Sequence, residues 1–131
     1  MAGLTGIVAE IYANFGRGNV PGIVDTFADY IRFVHAGGSM IPYAKERHGK
    51  AAAAAFFADL AGSVDISRFE VREYVEQGNS VVALGHWAGR ARSTGKSFAT
   101  DWAMLWAFDG TKVKFYQGFE DTLAVGQAFS A

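Results

Sequence analysis

The sequence predicts an α+β fold in which three N-terminal helices pack on one face of a curved antiparallel sheet, and three observations lead there. Apolar residues recur at helical spacing early in the chain, the period changes to that of strands from Val64 onward, and short glycine-bearing turns separate the later segments. Helices first and strands afterwards is the pattern of a layered α+β domain rather than of alternating βαβ units.

The first helix rests on Leu4, Ile7, Val8, Ile11, Tyr12 and Phe15, which share one side at 3.6 residues per turn, and Gly16-Arg17-Gly18 supplies its C-terminal turn. Asn19 can cap a second helix with Pro21 in its first turn, where a missing N–H does no harm, and the expected end lies near Asp29. A short strand through Ile31, Phe33 and His35 follows, then the loop GGSMIPYAKERHG, which no regular pattern explains. Lys45, Glu46 and Arg47 read there as a solvated run, and His48 as structural. The alanine run of KAAAAAFFADLAG has the best helix propensity available and predicts the third helix, with Phe56, Phe57 and Leu60 to bury.

Four β segments follow, roughly Asp65 to Glu76, Ser80 to Arg92, Lys96 to Phe108 and Lys112 to Glu120. Gln77-Gly78-Asn79, Ser93-Thr94-Gly95 and Asp109-Gly110 mark the turns, so neighbouring strands are short-linked and pair antiparallel. A last helix begins at Asp121 or Thr122, either of which can cap it.

With 131 residues, half of them hydrophobic, the chain is long enough for one domain with a core and too short for two. A net charge of -1 gives no electrostatic reason to approach phosphate backbones or anionic membrane, so neither nucleic acid nor membrane is expected as a partner. The chain lacks cysteine, which removes disulfides and thiolate metal sites, and the start MAGLTGIVAE lacks the pattern of an export signal. A soluble, cytoplasmic protein is the expectation.

Motif lookalikes carry little. Thr94-Gly95-Lys96-Ser97 resembles the end of a phosphate loop, but Arg90 stands where a glycine is required and the stretch sits in a hairpin. Gly16, Gly18 and Gly22 miss the dinucleotide spacing. His35, His48 and His86 have no ligand spacing to one another, so no metal and no cofactor is expected.

The segment SFATDWAMLWAFD is the most informative. Strand alternation puts Phe98, Thr100, Trp102, Met104, Trp106 and Phe108 on one side and Ser97, Ala99, Asp101, Ala103, Leu105 and Ala107 on the other. The large face fills a core or lines a cavity; the small, mostly apolar face suggests a second subunit packed flat on it, hence a homodimer. In VVALGHWAGRA, Gly85 and Gly89 flank Trp87 at alternate positions, leaving room beside the indole for a ligand or a bend, while His86 points away.

Several stretches together carry a resemblance: the Gly-x-Gly-Asn end of the first helix, VPGIVDTFADYIRFVH, RHGKAAAAAFF and the closing FEDT. They resemble the nuclear transport factor 2-like superfamily, and within it the ketosteroid isomerase and SnoaL-like polyketide cyclase branch. The resemblance covers the whole chain and implies a cone, with an apolar pocket at one end and frequent dimers. It favours a pocket role for Trp102 and Met104. It also places His35 where the isomerases carry their aspartate general base, a carboxylate that moves a proton beside a carbonyl held by hydrogen-bond donors. An imidazole can fill the same role near pH 7.

Departures matter as much. Ile11 stands where the resemblance expects the oxyanion-hole tyrosine, with Tyr12 one position on as a substitute, and Met104 stands where it expects the protonated aspartic acid. Steroid isomerisation is therefore not the expectation. Asp101 is a third candidate for catalysis, although alternation turns it away from Trp102 and Met104 unless a bulge re-aims it. Tyr43, Trp87, Trp102, Met104, Trp106, Tyr116 and Glu120 are the candidate ligand-binding residues. For Tyr116 and Glu120 the implied register points inward, whereas Val113, Phe115 and Phe119 favour burial of the opposite side. Two functions stay open: a cofactor-independent isomerase, cyclase or dehydratase acting on a small apolar molecule through His35, or a domain that binds such a molecule unchanged.

Overall fold

The computed structural model describes residues 3–131. Its elements run α1 (Gly3–Gly16), α2 (Val20–Val24), β1 (Phe27–His35), β2 (Glu46–His48), α3 (Lys50–Ser63), β3 (Val64–Gln77), β4 (Ser80–Ala91), β5 (Ser97–Asp109), β6 (Lys112–Glu120) and α4 (Thr122–Ala128). The six strands form one curved sheet in the order β2-β1-β6-β5-β4-β3. The first and third helices bury Val8, Ile11, Ala53, Phe56 and Leu60 in the same core as the inner face of the sheet. No helix among the described residues is long and apolar enough to cross a membrane.

The hairpins follow the turn chemistry: Gly78, Gly95 and Gly110 adopt positive φ at the turns, a conformation glycine enters without steric cost. Asp121 caps α4 by accepting from the Ala124 N–H, and Asn19 caps α2 by accepting from the Gly22 N–H.

Three expectations need correction. The sheet is mixed rather than antiparallel, because β1 lies parallel to β6, with Phe33 opposite Tyr116 and His35 opposite Gly118. Short turns dictate the sense of consecutive strands only, whereas β1 and β6 are joined through most of the chain, long enough for a parallel crossover. The helices are also not grouped at the N-terminus, since β1 and β2 precede α3 and α4 closes the chain. Finally, α2 stops at Val24, five residues early. The Thr26 carbonyl accepts from the Val113 N–H, so pairing with β6 draws the β-favouring segment from Phe27 onward into the sheet.

The loop after Gly37 also holds more structure than its composition suggests. Arg47 on β2 is buried and bonds Asp59 of α3 at 2.7 Å, so it is not part of a solvated run.

Candidate active site

The inner face of β1 is built by alternation: Ile31, Phe33 and His35 are all buried and point at the helices. On the neighbouring β6 an irregularity in pairing sets Ala107 opposite Phe115 but Phe108 opposite Val113. Such a bulge shifts the alternation by one residue, so Val113 and Tyr116 are both inside while Phe119 is outside. That settles the two-sided pattern of the last strand: Tyr116 and Glu120 face inward.

These side chains line a cavity enclosed by the sheet, α1 and α3. It holds about 550 Å³ outside atoms, mouth included, with about 50 Å³ open to the centre of a water molecule, so it is a slot between aromatic walls. Phe15, Phe57 and Phe69 are half-buried along it, whereas His35, Tyr43, Trp87 and Tyr116 are buried.

At the buried end the Glu120 carboxylate, with a side chain 1% exposed, is the hub. Its Oε1 accepts from the Trp87 indole N–H at 2.8 Å. Its Oε2 accepts from the Tyr43 hydroxyl at 3.2 Å and from His35 Nε2 at 3.1 Å. Three donors on one carboxylate compensate much of the cost of burying it. Because the carboxylate accepts the hydrogen bond of Nε2–H, the neutral imidazole keeps its lone pair on Nδ1. The Tyr116 hydroxyl stands 3.4 Å from that atom, a long contact that a ligand can replace.

A second polar group sits on α1. The Tyr12 hydroxyl accepts from the Trp106 indole N–H at 3.0 Å and donates to the Met104 sulfur, also at 3.0 Å. Thioether sulfur is a weak acceptor, so this O–H is free to turn to a better one. Burial is the main reason that Tyr12, Tyr43 and Tyr116 all lie above the ordinary phenol range; the charge of Glu120 adds to the rise for Tyr43 and Tyr116. All three remain protonated at neutral pH and act as donors.

Of the sequence candidates, the structure brings His35, Tyr12, Tyr43, Trp87, Met104, Trp106, Tyr116 and Glu120 to this one cavity. Two are placed elsewhere. Asp101 is on the outer face, paired with His86 at 2.8 Å and Arg72 at 3.2 Å, because β5 keeps its alternation through that residue with no bulge to re-aim it. Trp102 is buried behind the wall, stacked on Tyr12 and Phe69, and is not among the lining side chains. The glycines beside Trp87 are likewise taken by protein: the Trp102 ring lies where a side chain on Gly85 would stand, and Val64 where one on Gly89 would.

Gly118 escaped the sequence reading. A Cβ there would lie 2.6 Å from His35 Nδ1 and 2.5 Å from the Tyr116 hydroxyl. Its φ is not in the left-handed region, so the glycine serves space rather than turn geometry. It lets the imidazole lie against β6 with Tyr116 at its edge. The available signal was a lone glycine inside a strand, which marks a close approach without naming what approaches.

The SnoaL-like domain model matches residues 8–116. Among solved structures, an NTF2-like protein from Burkholderia xenovorans is 32% identical, with 97% of this chain and 95% of that chain covered at a TM-score of 0.88. An NTF2-like protein from Burkholderia thailandensis is 27% identical over the full length of both chains, TM-score 0.89. A third, from Burkholderia pseudomallei and described as of unknown function, is 24% identical over both full lengths, TM-score 0.90. No curated protein matches the chain.

Proposed function

The chain belongs to the SnoaL-like domain family, within the NTF2-like superfamily, and we propose that it is a cofactor-independent acid–base enzyme acting on a small, largely apolar carbonyl compound. The observation that carries this is the buried His35–Glu120 pair at the end of an aromatic slot, with His35 Nδ1 directed away from the carboxylate. A histidine whose one nitrogen is fixed by a carboxylate is oriented and tautomerically set to take a proton at the other.

In this reading His35 Nδ1 removes a proton from the carbon beside the carbonyl. The C–H electron pair passes into an enolate, and the Tyr12 hydroxyl leaves the Met104 sulfur to bond the oxygen that gains charge. Glu120 steadies the imidazolium, and Trp87 and Tyr43 hold Glu120. Return of the proton to another carbon is isomerisation, attack of the enolate on a second carbonyl is cyclisation, and departure of a β-hydroxyl as water is dehydration. All three begin with the same proton transfer.

Deuterium exchange tests that step without knowledge of the product. Incubated in D2O with a panel of aryl ketones and cyclic enones, the protein is expected to catalyse exchange of the α-hydrogens, followed by NMR. His35→Ala abolishes it, and Glu120→Gln lowers it by about 10²-fold or more. A second reading, a domain that only binds, is favoured by the fact that the polar groups of the slot already have partners inside the protein. Saturable binding with no exchange across the panel selects that reading and removes the catalytic one.

We also propose that the outer face of the sheet joins two copies of the chain. Ala103, Leu105 and Ala107 on β5 and Phe115 on β6 are half-buried there, and Phe119 is 46% exposed, an apolar strip unusual for a sheet face in water. Sedimentation equilibrium is expected to give twice the chain mass at micromolar concentration. A monomer there removes the proposal.

A further inference from the structure

We infer that the slot selects its ligand by charge and takes neutral molecules in preference to carboxylates or phosphates of the same shape. The inference deepens the catalytic reading above and concerns the same site.

Among the described residues that line the slot there is no lysine or arginine, and the one carboxylate is Glu120. A guanidinium beyond the wall, that of Arg47, lies over the Phe56 ring 5.8 Å from its centre and is bonded to Asp59 at 2.7 Å, with its buried Nε facing no partner. An anion entering from water therefore gives up its hydration, meets no lysine or arginine on the lining and adds a second negative charge beside Glu120 in a site walled by Phe33, Phe56 and Trp106. Repulsion between like charges is strengthened where water is excluded.

A neutral carbonyl compound meets none of this. When His35 takes its proton, the imidazolium and the enolate appear together, so the total charge of the slot is the same before and after the step. The tyrosine hydroxyls answer charge that arises inside, next to a new cation, rather than charge that arrives alone. The same donors set the acceptor pattern of the ligand: with Tyr43 spent on Glu120, Tyr12 and Tyr116 call for one oxygen acceptor on an otherwise apolar, flat molecule.

The test compares 2-acetylnaphthalene with 2-naphthoate, which share a ring system and differ in having a methyl ketone or a carboxylate. Binding is read at pH 7.5 from quenching of the tryptophans, two of which, Trp87 and Trp106, line the slot. The ketone is expected to bind at least about tenfold more tightly, and Glu120→Gln to narrow that ratio by improving the carboxylate. Equal or tighter binding of 2-naphthoate overturns the inference, and so does failure of both compounds to bind. Ketone binding without deuterium exchange keeps the charge rule and removes the catalytic reading, whereas exchange combined with a preference for the carboxylate does the reverse.

Discussion

Two of the histidine–carboxylate pairs of the sheet, one on each face, behave differently because of where they stand. On the outer face His86 and Asp101 are 2.8 Å apart; on the inner face His35 and Glu120 are 3.1 Å apart. The shorter contact is the weaker interaction. Asp101 is 76% exposed and shares its charge with Arg72, so water and neighbouring ions screen what the short distance offers. His35 and Glu120 are 6% and 1% exposed, bonded to Tyr43, Trp87 and Tyr116, and insulated by aromatic rings. Distance alone ranks the pairs in the wrong order; surroundings rank them by what they can do.

Alkali gives the largest effect that separates the two faces. Tyr12, Tyr43 and Tyr116 are raised chiefly by burial, so the fold favours their neutral forms. That contribution is complete below the ordinary phenol value of about 10 and is lost as pH climbs from there toward the folded values. Phenolate absorbance is expected to appear largely in one step together with loss of the far-ultraviolet dichroism. A smooth titration of all five tyrosines with the dichroism intact contradicts the insulated interior.

Removing the inner carboxylate comes next. Glu120→Ala strips the acceptor from three donors and is expected to cost about 3–5 kcal/mol in urea unfolding, the range found when one partner of a buried pair is deleted. Gly118→Ala is expected to cost about 1–3 kcal/mol by overpacking, and to move the His35 ring resonances far more than those of His86. Unmoved His35 resonances would show that the imidazole does not depend on that space. Asp101→Asn closes the series: its melting temperature is expected to match the parent, and a large drop would mean that the outer pair matters to the fold.

The same contrast explains what was legible in the sequence. Alternation along β5 was enough to turn Asp101 outward, and helical spacing was enough to send Ile11, Tyr12 and Phe15 toward the cavity, because both are local regularities. Glu120 was nameable as a pocket residue but not as the hub, since its partners Tyr43 and Trp87 are 77 and 33 residues away. Gly118 became meaningful only once β1 was known to lie parallel to β6 with His35 opposite it. The end of α2 was lost for a related reason: strand pairing with a segment near the other end of the chain decided where the helix stopped.

The parallel seam between β1 and β6 also governs when the site comes into being. His35 and Glu120 are 85 residues apart, and no short turn delivers one to the other. Closing so long a loop is an entropic cost that must be met before the contact rewards it, and non-local pairing of this kind slows folding. During synthesis the β1 edge has no neighbour on that side until the last strand emerges, leaving an unpaired row of backbone groups open to the wrong partner. The His35–Glu120 pair is thus among the last parts of the molecule to be assembled, and a nascent chain lacking β6 has the histidine without the carboxylate that orients it.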